Sequence, residues 1–132
     1  MVVSAEIYQL LSQLKTPARQ HTVLSIDPAI NYIRRHYFEA ITLTMLSSMV
    51  HMSIPHFSAR FKQETGISPY AYVIDVRLAA ANYMLISSCQ SVEAIASEVG
   101  FKSTSSFIKS FARKYKKTPG QLRRDVKMSL TE

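Results

Sequence analysis

The sequence is short of several things, and each shortage excludes a class of protein. It has one cysteine, Cys89, in 132 residues. A lone thiol closes no internal disulfide, so folding must rest on an apolar core, and the usage suits a reducing, cytoplasmic setting. Cys89 follows an apolar helical stretch, where a buried, inert thiol is expected. Only three glycines are present, and no segment alternates strictly between apolar and polar residues, which argues against an all-β fold. Acids are scarce: nine Asp and Glu stand against sixteen Lys and Arg, a formal charge of +7. No long uncharged run exists. The best candidate, residues 70–86, contains Asp75 and Arg77 and reads as a buried connecting helix, not a membrane span. The opening residues do not read as a secretory leader, because Glu6 interrupts a stretch without a basic start or a small-residue cleavage site.

Signals for catalysis and metal binding are also thin. Ser106-Phe107-Ile108-Lys109 has the Ser-x-x-Lys spacing of some hydrolases, without their companion motifs. His51 and His56 have no carboxylate or thiol at ligand spacing, and no glycine loop could cradle a phosphate. An enzyme is not expected, nor a metal or cofactor.

What remains is a chain of short helices. Hydrophobic residues make up 47%, enough for a core. Ile7, Leu10, Leu11 and Leu14 mark a helical fragment over residues 3–14. Asp27-Pro28 opens a helix with an apolar stripe of Ala29, Ile30, Ile33, Tyr37 and Phe38. Thr42 and Ser53 cap two more, the second stopped by Gly66. Ser68-Pro69 starts a long helix to about Ser87, with Tyr70, Val73, Ile74, Leu78, Ala81 and Leu85 as its apolar face. Ser91, Ser103 and Thr118-Pro119-Gly120-Gln121 open the last three, the final one with capping-box spacing. The expected fold is all-α: seven core helices plus an N-terminal linker-helix fragment.

A repeat organises these helices. A shift of 50 places Ser53 on Ser103, Phe57 on Phe107, Phe61 on Phe111 and Pro69 on Pro119; Leu46 falls on Ala96 and Met49 on Val99. Each copy is a short helix, a tight turn and a second helix, the plan by which a helix is presented to the major groove of DNA. The division follows: 1–25 the tail of a linker, 26–67 a first unit, 68–88 a connecting helix, 89–128 a second unit. Lys102, Lys109, Arg113, Lys114, Lys116, Lys117, Arg123, Arg124 and Lys127 crowd the last third, which favours an anionic partner.

At Ile95-Ala96, Gly100-Phe101, Ser106-Phe107, Phe111, Pro119 and Arg123 the chain resembles the C-terminal DNA-binding domain of AraC/XylS-family transcription regulators. The first unit matches through Ser53, Phe57, Phe61-Lys62, Gly66, Ser68-Pro69 and Tyr72, and the connecting helix through Arg77-Leu78, Ala81 and Leu85. The resemblance covers residues 26–127. It implies two helix-turn-helix subdomains with recognition helices in successive major grooves, about 34 Å apart. It further implies double-stranded DNA and RNA polymerase as partners, an activator role, and an N-terminal effector or dimerisation domain beyond this sequence. Three positions depart from the family pattern. Lys116 replaces a frequent Gly at a helix end, Ala59 replaces a frequent Arg, and Leu122 replaces a Tyr.

Helical geometry nominates the readers. With Phe107 and Phe111 inward, Thr104, Ser105, Ile108 and Lys109 face outward. With Phe57 and Phe61 inward, Pro55, His56, Ser58 and Ala59 do. Hydroxyls and Lys109 can reach base edges or phosphates, and Ile108 a thymine methyl. Lys62, Lys102, Arg113, Lys114 and Lys117 are the phosphate candidates. Thr42, Ser91 and Thr118 sit at helix starts whose free amides suit phosphates. Arg60 either touches phosphate or pairs with Glu64 one turn on. Arg123 either touches phosphate or pairs internally with an acid such as Glu98. The competing function is a basic helical module that binds an acidic protein or an anionic surface. A third, a DNA-repair protein with such a reader, would need an exposed, reactive cysteine.

Overall fold

The structure is a computed structural model and describes residues 25–131. The fragment expected over residues 3–14, and the linker tail up to residue 24, lie outside the described residues. Among the described residues there are seven helices and no strand. They are α1 (Asp27–His36), α2 (Leu43–Met49), α3 (Ile54–Thr65), α4 (Pro69–Ser87), α5 (Val92–Glu98), α6 (Thr104–Tyr115) and α7 (Pro119–Thr131).

The helix starts are local chemistry. The first amides of a helix lack intrahelical partners, and a hydroxyl one residue upstream can accept from them. Thr42 accepts from the Met45 amide, Ser53 from His56, Ser68 from Ala71, Ser91 from Ala94 and Ser103 from Ser106, at 3.0–3.3 Å. At α7 the expected reciprocal box forms. Gln121 N donates to Thr118 Oγ1 at 3.2 Å, and Thr118 N to Gln121 Oε1 at 2.9 Å. α1 differs from expectation by one residue: Ile26 is its N-cap and makes no side-chain cap bond. Asp27 is already helical, and its amide donates to Ser25 Oγ at 3.0 Å.

The repeat also needs a correction. From Ser53 onward the shift of 50 holds, and the aromatic pairs match closely: Phe57–Phe61 at 5.5 Å and Phe107–Phe111 at 5.7 Å, both with planes at 62°. Across α2 and α5 the structural shift is 49. Val50 corresponds to Val99, the buried C-caps, and Leu46 to Ile95, both buried. Met52 N donates to Ser47 O and Phe101 N to Ala96 O, each at 3.0 Å. His51 and Gly100 both take positive φ, 60° and 103°. The second turn is therefore one residue longer, and Lys102 is the extra one. Local pattern alone could not place an insertion inside a turn.

α4 is the hub. It packs against α1, α3, α5, α6 and α7, so it is buried on most of its circumference rather than along one stripe. Tyr72, Val76, Arg77, Ala80 and Met84 are buried beside the expected Val73, Leu78, Ala81 and Leu85. Tyr70, expected on the apolar face, is 69% exposed, although Pro69 and Tyr72 on the same turn are buried. Cys89 is exposed, against the expectation of burial: α4 ends at Ser87, and the thiol falls on the following connection.

Two arginines tie α4 to both flanks. Arg77 is 9% exposed. Its Nε donates to Tyr37 O at 2.6 Å and its Nη2 to Glu39 O at 2.9 Å. Burial lowers its pKa from the usual guanidinium range. At the far end, Arg123 Nε donates to Leu85 O and its Nη2 to Ser88 O, both at 3.1 Å, while Nη1 reaches Gln90 O. The alternative pair with Glu98 does not form; Glu98 accepts from Gln90 Nε2 at 2.7 Å.

His51 and Lys116 hold left-handed backbone without being glycine, at a cost of roughly 1 kcal/mol each. His51→Gly and Lys116→Gly should each raise stability by about 0.5–1 kcal/mol, a Tm gain of roughly 2–8 °C in a domain of this size. Gly100→Ala should lower it, because its Cβ would stand 3.0 Å from the Phe38 backbone. Thermal melts followed by circular dichroism check all three, and a Tm for Gly100→Ala at or above the parent value would contradict the assignment.

Candidate nucleic-acid interface

The outward faces of α3 and α6 follow from their aromatic anchors. Phe57, Phe61, Phe107 and Phe111 are fully buried, so residues on the opposite arc must meet solvent. On α6 the exposed residues are Ser105, Ser106, Lys109, Arg113 and Lys114. On α3 they are Ile54, Pro55, His56, Ala59, Lys62 and Gln63.

This arc is rotated from the one expected. Thr104 and Ile108 are half-buried, and Ile108 packs against the core, so neither stands clear on the outer face. Ser58 and Arg60 are likewise half-buried. The shared arc gives matched pairs under the shift of 50: Pro55 with Ser105, His56 with Ser106, Ala59 with Lys109, Gln63 with Arg113. Sequence reading missed Ser106 and Gln63 as outward residues and grouped Arg113 only with the phosphate cations. Counting eight residues on from Pro55 and Ser105, instead of stopping after the first turn and a half, would have found two of them.

The chemistry of the two stripes differs. The first is neutral apart from Lys62 at its edge. The second carries Lys109 and Arg113, with exposed Lys102, Lys116 and Lys117 at its ends. Both helices begin with a hydroxyl cap, and their free amide ends are exposed at Ser53 and Ser103. Ser106 Oγ donates to Ser103 O at 3.0 Å, which steadies the first turn of α6.

The remaining cations divide by their partners. Lys114 Nζ lies 3.3 Å from Asp75 Oδ1, with both side chains partly exposed; such a pair is worth at most about 1 kcal/mol. Lys117 pairs with Asp125. Arg60 pairs with Glu64, as the one-turn spacing allowed. Arg123 holds three backbone carbonyls with its guanidinium and clamps the structure internally, through carbonyls rather than an acid. Thr42, Ser91 and Thr118 are caps, the first two exposed and Thr118 half-buried. An open cleft of about 1120 Å³ lies between α6 and the starts of α2 and α4, with Thr42, Leu43, Tyr70, Lys102 and Arg113 among its lining. Among the described residues no cluster of His, Cys, Asp or Glu could hold a metal ion, and no helix is long and apolar enough to cross a membrane.

Two turn-linked helix pairs on a common connecting helix, each exposing its second helix, define a double helix-turn-helix DNA-binding domain. A helix-turn-helix domain model matches residues 46–125. The chain belongs to the AraC family of helix-turn-helix transcription-regulator domains. It is 31% identical over 107 residues to the uncharacterized HTH-type transcriptional regulator YobQ of Bacillus subtilis, covering 81% of this chain and 43% of YobQ. It is 33% identical over 106 residues to the bifunctional transcriptional activator/DNA repair enzyme AdaA of the same organism, covering 80% of this chain and 50% of AdaA. The chain thus spans half or less of these relatives. Among solved structures, the DNA-binding domain of AdpA in complex with a target DNA aligns with a TM-score of 0.76 at 25% identity, covering 79% of this chain and 94% of that one.

Lys109 and Arg113 stand on one exposed stripe, one turn apart. If that stripe meets a base edge, Lys109→Ala should cost roughly 1–3 kcal/mol on the preferred duplex and little on random duplex. Fluorescence anisotropy on both duplexes measures this, and equal losses on the two would refute it.

Proposed function

We propose that this chain binds double-stranded DNA sequence-specifically, with α3 and α6 in successive major grooves. In this reading residues 26–67 and 89–128 are the two units and 68–88 the element joining them. The observation that carries the reading is the pair of matched exposed stripes, each on a hydroxyl-capped helix anchored by two buried phenylalanines. A module that merely met an acidic surface would need positive charge but not a second, neutral stripe in the same register. The AdpA domain, described in complex with a target DNA, supports the same conclusion through its fold.

Roles follow from side-chain chemistry. Lys109 and Arg113 read guanine edges or hold phosphate, and Ser105 and Ser106 donate or accept at base edges. His56 and Gln63 supply the polar contacts of the first unit, with Gln63 suited to adenine N6 and N7. Pro55 and Ala59 permit close apolar approach. Lys62, Lys102 and Lys116 contact phosphate and fix register without reading sequence. Specificity then resides mostly in α6, while α3 adds a weaker half-element.

The activator role, RNA polymerase as a partner and an N-terminal effector or dimerisation domain extend this reading. Their support is the family and the AdaA likeness. AdaA is named as a repair enzyme as well. For this chain we propose no enzymatic step, since the shared region is the helix-turn-helix part.

Cation contacts release counterions, so binding must weaken with salt. With about 6–10 phosphates neutralised, affinity should fall by about 10³-fold or more between 50 and 200 mM salt. Arg113→Ala should flatten the slope of log K against log salt by about one. A gel shift series, with anionic liposomes in parallel, tests this. Preference for liposomes over every duplex would instead favour the basic interaction module.

A further inference from the structure

α4 alone would join the two units as a single strut. The structure adds a second crossing beside it. From the middle of α4, the Arg77 side chain turns toward the first unit and donates to two carbonyls, Tyr37 O at 2.6 Å and Glu39 O at 2.9 Å. These carbonyls lie just past the end of α1, whose C-cap is Tyr37. Beside the guanidinium is the turn of the second unit. A Cβ placed on Gly100 would stand 3.0 Å from Arg77 Nε and 3.0 Å from both Cα and O of Phe38. The α1–α2 connection, Arg77 and the turn ahead of α6 therefore meet in one contact with no room for a methyl group.

We propose that Arg77 is the positioning residue that fixes the separation and rotation of α6 relative to α3, and hence the spacing between the two DNA half-elements the protein accepts. This rests on the two-groove reading above. One inserted base pair moves the half-elements apart by about 3.4 Å and turns one by about 35°. Two linked heads bind jointly only when their geometry permits it, and a stiff joint makes that condition narrow. A guanidinium fork that holds two carbonyls constrains rotation as well as distance. A lysine keeps the charge but offers a point rather than a fork.

The test begins with selection of bound sites from random duplex by the parent chain, which yields the two-part element. Binding is then measured on that element, on each half alone, and on elements lengthened by one or two base pairs, for the parent, Arg77→Lys and Arg77→Met. The parent should lose about 30-fold or more on one inserted pair, and Arg77→Met less than about fivefold while holding each half-element within about twofold of the parent. Arg77→Lys should fall between them. Identical spacing profiles would overturn the role of Arg77 and leave the two-groove reading standing. A parent selecting no two-part element would overturn that reading itself. A DNA-free measurement keeps the joint testable on its own. Spin labels are placed at Gln63→Cys and Ser105→Cys in a Cys89→Ser background. They should give a narrow distance distribution that broadens in Arg77→Lys and Arg77→Met. Unchanged distributions in variants with folded circular dichroism spectra would overturn the proposal.

Discussion

The fold depends on satisfying a guanidinium that has left water. A buried charge is tolerated only with good acceptors around it, and Arg77 finds them in the carbonyls of Tyr37 and Glu39, just past the end of α1. Removing the two carbonyl contacts would strand the buried guanidinium, at about 1–3 kcal/mol or more. The end of α1, the middle of α4 and the Gly100 turn therefore cannot move independently. Arg123 repeats the device at the other end of α4, where one side chain gathers the carbonyls of Leu85, Ser88 and Gln90. Two arginines that bind backbone hold the connecting helix, and the partly exposed Lys114–Asp75 ion pair adds little beside them.

That difference marks the boundary of what the sequence could reveal. Helix starts were legible because a hydroxyl cap and its amide are three residues apart, and the capping box at Thr118 and Gln121 is wholly local. The Phe57–Phe61 and Phe107–Phe111 pairs were legible because their four-residue spacing survives repetition. The partners of Arg77 and Arg123 were not, because they are main-chain atoms 33–40 residues away with no identity to recognise. Glu98 looked suitable for Arg123 by charge and lost to carbonyls by position. Cys89 was misplaced for a related reason: its apolar neighbours end at Ser87, and burial does not extend past the helix. In the candidate site, the inward anchors were read correctly, but the outward arc was turned, since Ile108 completes the core rather than facing away.

The two units share a plan and differ in chemistry. Both rest on a T-shaped phenylalanine pair and a left-handed turn ahead of the exposed helix. The first unit presents Pro55, His56, Ala59 and Gln63, without a fixed charge on its central stripe. The second presents Ser105, Ser106, Lys109 and Arg113, with more lysines around them. A common scaffold thus carries one strongly cationic surface and one nearly neutral surface, and the net charge of the chain is concentrated where the second unit stands.

Lys102, the additional residue in the second turn, gives this inequality a geometric counterpart. The halves cannot be aligned by one shift along the chain, and their exposed side chains differ, so the two ends of the molecule are not equivalent. A single copy seated on a double helix would have a distinguishable front and back. Orientation along a chromosome would then be encoded by one protomer, with no need of a second copy to define it.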